Sequence, residues 1–326
     1  MKTLLVTSPQ PGAGKTGVIA AMALRLAYEG HRVLALRLGA TGNAGADEDA
    51  AYFAGLPFAR GRGGAPVQPD EVAAIVAEGG RPVDLLFLED AGDGSGQAIA
   101  AQPETRVLAV IRGDPRLQGA ALTAAVDQLG DRLAGVVAIG VPERDVRAAQ
   151  SAAMQFGVPA LAVVPEDRTL YAPTIGDVLE ALDAEVILGD PPTDQIIEHM
   201  MIGPLTADPS DPYFKRRRNK AVITRSDKTD LQLAALHTQT DVLILTGGFP
   251  PSPYTIDRAA GEEVPILLTR AGTPESVARL ADVFGGSRFN NESKLKRLRE
   301  LLEEEWSLDQ MIAITGLSPA ASTSTI

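Results

Sequence analysis

A glycine-rich segment near the start of the chain carries residue types that bind phosphate. Gly12-Ala13-Gly14-Lys15-Thr16-Gly17 follows the apolar run 4–6 after a short Ser-Pro-Gln-Pro stretch. In such a loop, backbone N–H groups and the N-terminus of the next helix face phosphate oxygens, and a lysine adds positive charge. We therefore predict a nucleotide-phosphate site formed by Gly12, Ala13, Gly14, Lys15, Thr16 and Gly17, with Lys15 also in a catalytic role.

The same segment allows a second interpretation. Pro9 stands where the usual G-x4-G-K-[ST] pattern has its first glycine, and the three glycines of the segment also satisfy G-x-G-x-x-G. That pattern is typical of NAD(P)-binding proteins, which normally place an acid at the end of the second strand. This chain has Arg37 there, and the pair Lys15-Thr16 favours a phosphate loop. A dinucleotide site and a purely structural turn remain as alternatives.

Oxygen ligands for a magnesium ion are available at three positions. Thr16 follows the loop lysine, Glu89 follows the apolar run 85–88, and Asp49 precedes a short helical stretch. Mg²⁺ prefers oxygen donors and is commonly held by one or two carboxylates together with substrate phosphates. We predict that Thr16, Asp49 and Glu89 meet the metal. The acidic residues 47–49 also fit a solvated helix N-terminus that complements the helix dipole.

Arg37 lies at the end of a predicted strand, on the side where open α/β sheets bind ligands. A guanidinium there could hold an acidic substrate or a transferred phosphoryl group, which would give it a catalytic role. It could equally pair with Asp49 or another acid for structural reasons. Both interpretations stay open.

The elements that position these residues follow from alternating apolar runs and helical patterns. We expect strands at 4–6, 33–36, 83–88, 107–111, 135–139 and 160–164, with helices at 15–28 and 115–129 among those between them. Buried strands that alternate with helices indicate a parallel α/β sheet.

A second, smaller α/β set follows the connector at Pro191-Pro192. It has strands at 221–224, 242–245 and 265–268, helices at 229–237 and 274–284, and a C-terminal amphipathic helix. We interpret the segment 198–201 as helical. The predicted domains are 1–190 and 191–308, with 309–326 as a flexible tail.

The second domain offers a candidate ligand site at Asp227, Lys228, Gly247 and Gly248. Both pairs follow predicted strands, and paired glycines permit close approach of a ligand. The acids of 227–230, or Thr229, could instead cap the following helix, and the glycines could form only a turn. The basic run 215–220 fits either a solvated loop or a site for phosphate or an acidic partner.

Composition excludes several function classes. The chain has 326 residues and a formal net charge of −12, so a general nucleic-acid coat is not expected. It has no cysteine and three widely separated histidines, which argues against disulfides, thiol chemistry and zinc sites. No long uncharged apolar run or targeting segment is evident, so we expect a cytoplasmic protein without a membrane span.

Residues 1–189 resemble the dethiobiotin-synthetase-like and cobyrinic-acid-diamide-synthase-like P-loop ATPases, in the branch found at the amino terminus of long phosphate acetyltransferases. The segments that carry the resemblance are the loop through Thr16, Asp49-Ala50, 89–92, 135–137 and 163–168. Residues 221–236 and 245–248 resemble a DRTGG domain, although its GDR core is Ser226-Asp227-Lys228 here. No acetyltransferase catalytic domain is recognisable, so acetyl transfer is not expected.

The resemblance implies a P-loop NTPase fold that binds ATP and Mg²⁺, followed by a regulatory or oligomerising DRTGG domain. Arg37 stands where dethiobiotin synthetase has a lysine that binds the activated carbamate, and Ile139 stands where related enzymes often have an asparagine that contacts the base. We expect a homo-oligomer that binds a nucleotide and a small acidic substrate. Its function is either ATP-dependent activation of a carboxylate or similar oxyanion, or non-catalytic sensing of adenine nucleotides for a partner such as an acyltransferase.

Overall fold

The computed structural model describes residues 1–39, 47–59, 63–80, 82–113, 118–203, 213–285 and 288–318. The chain forms two compact units, Met1–Asp167 with Lys294–Ile326, and Arg168–Ser293. Within the described ranges, every helix is too short or too polar to cross a membrane.

The first unit is built on a six-stranded parallel sheet. Its strands are β1 (Lys2–Thr7), β2 (Val33–Arg37), β3 (Leu85–Glu89), β4 (Thr105–Arg112), β5 (Leu133–Val141) and β6 (Leu161–Pro165), in the order β2-β3-β1-β4-β5-β6. The chain leaves β1 for the edge strand β2 and later continues through β4 on the other side. The direction of winding thus reverses beside β1, where open α/β sheets form a ligand crevice.

The intervening helices are α1 (Lys15–Tyr28), α2 (Glu48–Gly55), α3 (Val72–Glu78), α4 (Ser95–Ala100), α5 (Gln118–Leu129) and α6 (Val146–Gln155). The central strands are nearly continuous apolar runs, and Leu4, Leu5 and Val6 of β1 are almost completely buried. Strands covered by helices on both faces require this composition. The six predicted strands and helix 15–28 are confirmed, whereas 115–117 of the other predicted helix lie outside the described residues.

The second unit has a five-stranded sheet of its own. Its strands are β7 (Glu185–Leu188), β8 (His199–Ile202), β9 (Lys220–Arg225), β10 (Val242–Thr246) and β11 (Ile266–Thr269), in the order β7-β11-β10-β9-β8, with β7 antiparallel to β11. Its helices are α7 (Arg168–Tyr171), α8 (Ile175–Leu182), α9 (Thr229–Leu236), α10 (Pro253–Gly261) and α11 (Thr273–Gly285). The α/β class predicted for both parts of the chain is therefore confirmed.

Two C-terminal helices, α12 (Glu292–Glu305) and α13 (Leu308–Thr315), follow the second sheet in sequence. On α12, Glu303 pairs with Arg25 of α1 at 3.1 Å, and Glu305 Oε2 accepts a hydrogen bond from the backbone N–H of Val163 in β6. Helix α13 packs against β1, β4 and β5. The first unit is thus formed by both ends of the sequence.

Division of the chain differs from the predicted boundary after residue 190. Ile175, Val178 and Leu182 of α8 share a buried cluster with Ile223 and Ile244 of the second sheet, and β7 is a strand of that sheet. The second unit therefore begins before the proline connector. That connector is a turn within the unit and does not separate two cores.

Two local predictions are wrong. The segment 198–201 is not helical, because His199–Ile202 forms β8, which pairs in parallel with β9. The tail predicted from residue 309 begins as α13, which has a Ser307–Gln310 capping box and buries Met311, Ile312 and Ile314. Residues 319–326 of that tail lie outside the described residues.

Candidate functional site

The glycine-rich loop leads from β1 into α1, at the carboxyl edge of the first sheet. Gly12 and Gly14 have φ values of 62° and 95°, which glycine adopts without the strain of other residues. Gly14 is the N-cap of α1 and offers no side-chain cap to the N–H groups of the first turn. Those donors, and the positive end of the helix dipole, are suited to an anion.

Ile139 of β5 packs directly beneath this loop. A Cβ atom added to Gly14 would lie 3.0 Å from Ile139 Cδ1, so a side chain at position 14 would crowd the isoleucine. Ile139 is also almost fully buried. The residue predicted at the base-contacting position therefore supports the loop with an apolar contact.

Thr16, Asp49 and Glu89 come together at the first turn of α1. The Thr16 hydroxyl lies 2.9 Å from Asp49 Oδ1 and 3.2 Å from Glu89 Oε1. Asp49 is in the first turn of α2, whose N-cap Asp47 accepts a hydrogen bond from the Ala50 N–H. Glu89 ends β3, the strand next to β1. The three predicted metal-site residues thus occupy one small region.

Arg37 binds the same region from the end of β2. Its Nε lies 2.9 Å from Asp47 Oδ2, and its Nη1 lies 2.7 Å from Glu89 Oε1 and 3.3 Å from Asp49 Oδ2. Burial lowers the pKa of Arg37, but the charges of Glu89, Asp49 and Asp47 outweigh that effect, and the pKa is raised overall. In this structure Arg37 makes the acid pairing that the sequence left as one of two possibilities.

Glu89 is a buried carboxyl group with opposing neighbours. Burial raises its pKa to about 7, and the charge of Asp49 acts in the same direction. Arg37, Lys15 and the Thr16 hydroxyl oppose the rise, with Lys15 Nζ at 3.9 Å from Glu89 Oε1. Among the residues that the structure describes, the buried Glu89 Oε2 has no hydrogen-bond partner.

These residues fit a magnesium–nucleotide group. A buried carboxylate oxygen without a partner, an aspartate and a threonine hydroxyl are the hard donors that Mg²⁺ prefers. In the described part of the chain there is no group of three or more His, Cys, Asp or Glu side chains arranged to hold a metal alone. A site with few protein ligands is consistent with Mg²⁺ that is bound together with phosphates.

Asp47 is the site residue whose role was missed. The sequence interpretation considered it only as part of an acidic helix N-terminus, but its two oxygens cap α2 and bind Arg37. An acid three residues before Ala50 is a recognisable N-cap position. The pairing with Arg37 depends on where α2 lies against β2, which no local pattern specifies.

The candidate site of the second unit is brought together only in part. Asp227 and Lys228 follow β9, while Gly247 and Gly248 follow its neighbour β10. Asp227 is exposed and pairs with Arg225 at 2.5 Å, and the N-cap position of α9 is Lys228, without a side-chain cap. The alternative in which the acids of 227–230 or Thr229 cap this helix is therefore not seen, because the N-cap position is Lys228.

Gly247 and Gly248 form a turn with φ values of 95° and 75°, and their N–H groups bond to Ala271 O and Thr269 O. Gly248 lines a cavity of about 670 Å³ together with Thr269, Arg270 and Glu275. Asp227, Lys228 and Gly247 do not line that cavity. The four residues therefore share one sheet edge, but only Gly248 lines this cavity.

Comparison with known proteins identifies the second unit. Residues 177–283 match the DRTGG domain family. A stretch of the chain is 27% identical over 154 residues to a phosphate acetyltransferase of Nitratidesulfovibrio vulgaris, covering 44% of this chain and 22% of that protein. The chain thus spans about a fifth of the length of this curated relative.

Similar solved structures include the CBS and DRTGG domains of a Clostridium perfringens pyrophosphatase complexed with the activator diadenosine tetraphosphate. That structure is 14% identical, covers 45% of this chain and 73% of its own, and has a TM-score of 0.30. The cell division protein MinD of Aquifex aeolicus is 16% identical, covers 52% and 84%, and has a TM-score of 0.37. At such scores the fold assignment depends on the sheet order and the loop geometry described above.

Proposed function

We propose that the first unit binds a magnesium–adenine nucleotide, with ATP as the functional ligand, and that the DRTGG domain has a regulatory or oligomerising role. The observation that carries the proposal is the convergence of Thr16, Asp49 and Glu89 beside a loop that leads into an uncapped helix N-terminus. Gly12 to Gly17 would surround the phosphates. Lys15 would place its ammonium group against the β- and γ-phosphates.

If the chain is catalytic, the reaction best suited to the site is transfer of the γ-phosphoryl group to a carboxylate or similar oxyanion. Bound Mg²⁺ would neutralise charge on the phosphates during transfer. Lys15 would stabilise the charge that develops on the transferred group, and Arg37 would position the anionic acceptor. The buried walls around Glu89 would limit access of water to the reacting groups.

A second candidate function is nucleotide sensing without turnover, by which the chain reports adenylate state to a partner such as an acyltransferase. The match of residues 177–283 to the DRTGG domain favours it. The similarity to a phosphate acetyltransferase supports a partner of that class. Both candidates share the nucleotide site and differ in whether ADP is released from ATP.

The test measures nucleotide binding and turnover in the same preparations. We expect the wild type to bind ATP in the presence of Mg²⁺, and Lys15→Ala to weaken this binding by about 100-fold or more, because the phosphates lose a charge-assisted contact. Lys296→Ala, at an exposed lysine of α12, is the matched control and should bind as the wild type does.

The readouts are calorimetric titration with ATP and detection of released ADP. Turnover that Lys15→Ala abolishes supports phosphoryl transfer, and tight binding without ADP release supports the sensor. Thermal stabilisation by NAD(P) but not by ATP would favour the dinucleotide interpretation and reject the proposal.

A further inference from the structure

Arg37 occupies the region where the proposed metal ligands face one another. Its Nη1 contacts Glu89 Oε1 at 2.7 Å and Asp49 Oδ2 at 3.3 Å, so one nitrogen contacts both carboxylates expected to meet Mg²⁺. The third acid, Asp47, fixes the other side of the guanidinium through Nε. The arginine is therefore held in place from two directions.

One oxygen atom, Glu89 Oε1, is near both cationic side chains and the threonine hydroxyl of the site. Glu89 Oε1 accepts from Arg37 Nη1 and the Thr16 hydroxyl, and it lies 3.9 Å from Lys15 Nζ. Mg²⁺ binds oxygen at about 2.1 Å and requires near-octahedral access to its ligands. A guanidinium in contact with Glu89 Oε1 and Asp49 Oδ2 competes with the metal for these two oxygens and repels the divalent charge.

We infer that Arg37 and Mg²⁺ compete for Asp49 and Glu89, so that metal binding releases the Arg37 guanidinium to an anionic second ligand. The inference rests on the proposed function and adds an order of binding to it. Before the metal binds, Arg37 neutralises the acidic cluster. After the metal binds, Arg37 is a partly buried cation that has lost Glu89 and Asp49, and its Nη1 is free to pair with a carboxylate or another small oxyanion.

This role explains why the cation beside the metal site is attached to the end of β2. Arg37 ends the strand that pairs with β3 in register Arg37 to Glu89, so the backbone brings the two side chains together. Asp47 contacts Arg37 but is not among the proposed metal ligands, so it would retain Nε while Nη1 leaves the carboxylates. Arg37 is thus a positioning residue for the acceptor, and the metal decides whether its Nη1 is available.

The first experiment measures binding of Mn²⁺ alone, without nucleotide, by electron paramagnetic resonance. We expect Arg37→Met to bind Mn²⁺ about tenfold or more tightly than the wild type, because the competing charge is gone. Arg37→Lys should lie between the two, since one ammonium group cannot contact three carboxylates as the guanidinium does. Arg32→Met, which removes an exposed arginine paired with Asp84, is the matched control and should leave Mn²⁺ affinity unchanged.

The second experiment uses the wild type and does not depend on the folding of a variant. Phenylglyoxal modifies accessible guanidinium groups, and peptide mass spectrometry reports the extent at each arginine. We expect Mg²⁺ to accelerate modification of Arg37 several-fold and to leave that of Arg32 unchanged. Equal Mn²⁺ affinity in the wild type and Arg37→Met, or Arg37 modification that ignores Mg²⁺, overturns the inference.

Neither readout requires nucleotide, so the two ideas fail separately. Competition for metal with no binding of ATP would leave the Arg37 inference standing and remove the proposed function. Binding of Mg-ATP together with metal affinity that is insensitive to Arg37→Met would do the reverse.

Discussion

Glu89 is the residue on which the site depends most, because it is buried and yet contacts three other functional groups. Its Oε1 is shared by Arg37, Thr16 and Lys15, while Oε2 has no hydrogen-bond partner in the described part of the chain. Burial opposes its ionisation, and the two cations favour it. The protonation of one carboxyl group therefore sets the charge of the site.

This balance predicts a pH-dependent stability. The pKa of Glu89 is about 7 in the folded chain, against 4.5 for an ordinary glutamate, so the folded state holds its proton where the unfolded state has lost it. Because the folded state binds more protons in this window, the free energy of unfolding falls as the pH rises from 4.5 to about 7 and then levels.

The measurement is urea unfolding of the wild type and Glu89→Gln at about pH 5 and about pH 8, in chelator. Between the lower and the higher pH, the unfolding free energy of the wild type should fall relative to that of Glu89→Gln by about 3 kcal/mol at most. Parallel pH profiles for the two proteins would contradict the raised pKa.

Proximity of Thr16, Asp49 and Glu89 could be predicted at this scale, because each follows or begins an element at the carboxyl edge of one parallel sheet. The contacts of Arg37 could not. They require Asp47 and Asp49 to face β2, which depends on how α2 packs, and the pattern of residues 47–49 is equally that of a solvated helix end. A position in a strand predicts the edge on which a side chain lies, but not its partner.

At the scale of elements, apolar composition decides which strands of the fold can be predicted from the sequence. The strands β1 to β6 and β9 to β11 are largely buried runs and match the predicted positions. Strand β7 has two exposed residues among four, and β8 contains a histidine and two methionines that a helix accommodates as well. Short strands of this kind form because a neighbouring strand offers hydrogen bonds, which a local pattern does not reveal.

Helix α13 has clear sequence features of a helix, but the prediction placed it in a flexible tail. Its capping box at Ser307 and Gln310 and its buried Met311, Ile312 and Ile314 are regular helix features. The small polar residues that follow it in sequence suggested a tail for the whole segment. Its contacts with β1, β4 and β5 make it a part of the first core.

We therefore predict that two truncations act differently. A chain that ends at Trp306 should lose several kcal/mol of unfolding free energy in the first unit, on the order of 2 kcal/mol for each of the three buried apolar side chains removed with α13. A chain that ends at Ser318 keeps α13 and should match the full chain. Urea unfolding followed by circular dichroism measures both, and equal stability of the two truncated chains would show that α13 contributes no packing.

At the scale of the whole molecule, the first unit is discontinuous in sequence. Met1–Asp167 supplies the sheet, and the segment from Lys294 adds two helices with Leu295, Leu298, Leu301, Leu302 and Trp306 buried. Along the sequence, the second unit, Arg168–Ser293, is inserted between these two segments, and it has its own clusters of buried residues. From the sequence we predicted two α/β domains. We assigned the amphipathic helix α12 to the second domain because it follows that domain along the chain.

This arrangement predicts an asymmetry between fragments of the chain. Residues 168–293 contain a complete sheet and core, so we expect this fragment to unfold cooperatively in urea on its own. Residues 1–167 lack α12 and α13, leaving apolar surface of the sheet and α1 uncovered, so this fragment should bind a hydrophobic dye and unfold without a sharp transition. The peptide experiment tests the missing helices directly. A peptide of residues 294–318 added in excess to the 1–167 fragment should restore the sharp unfolding transition, because it binds only the folded state and thereby stabilises it.

The same peptide with Trp306→Ala, which removes a side chain that is 1% exposed, should restore the transition only weakly. Cooperative unfolding of 1–167 without the peptide would show instead that the first sheet forms a sufficient core without its C-terminal helices.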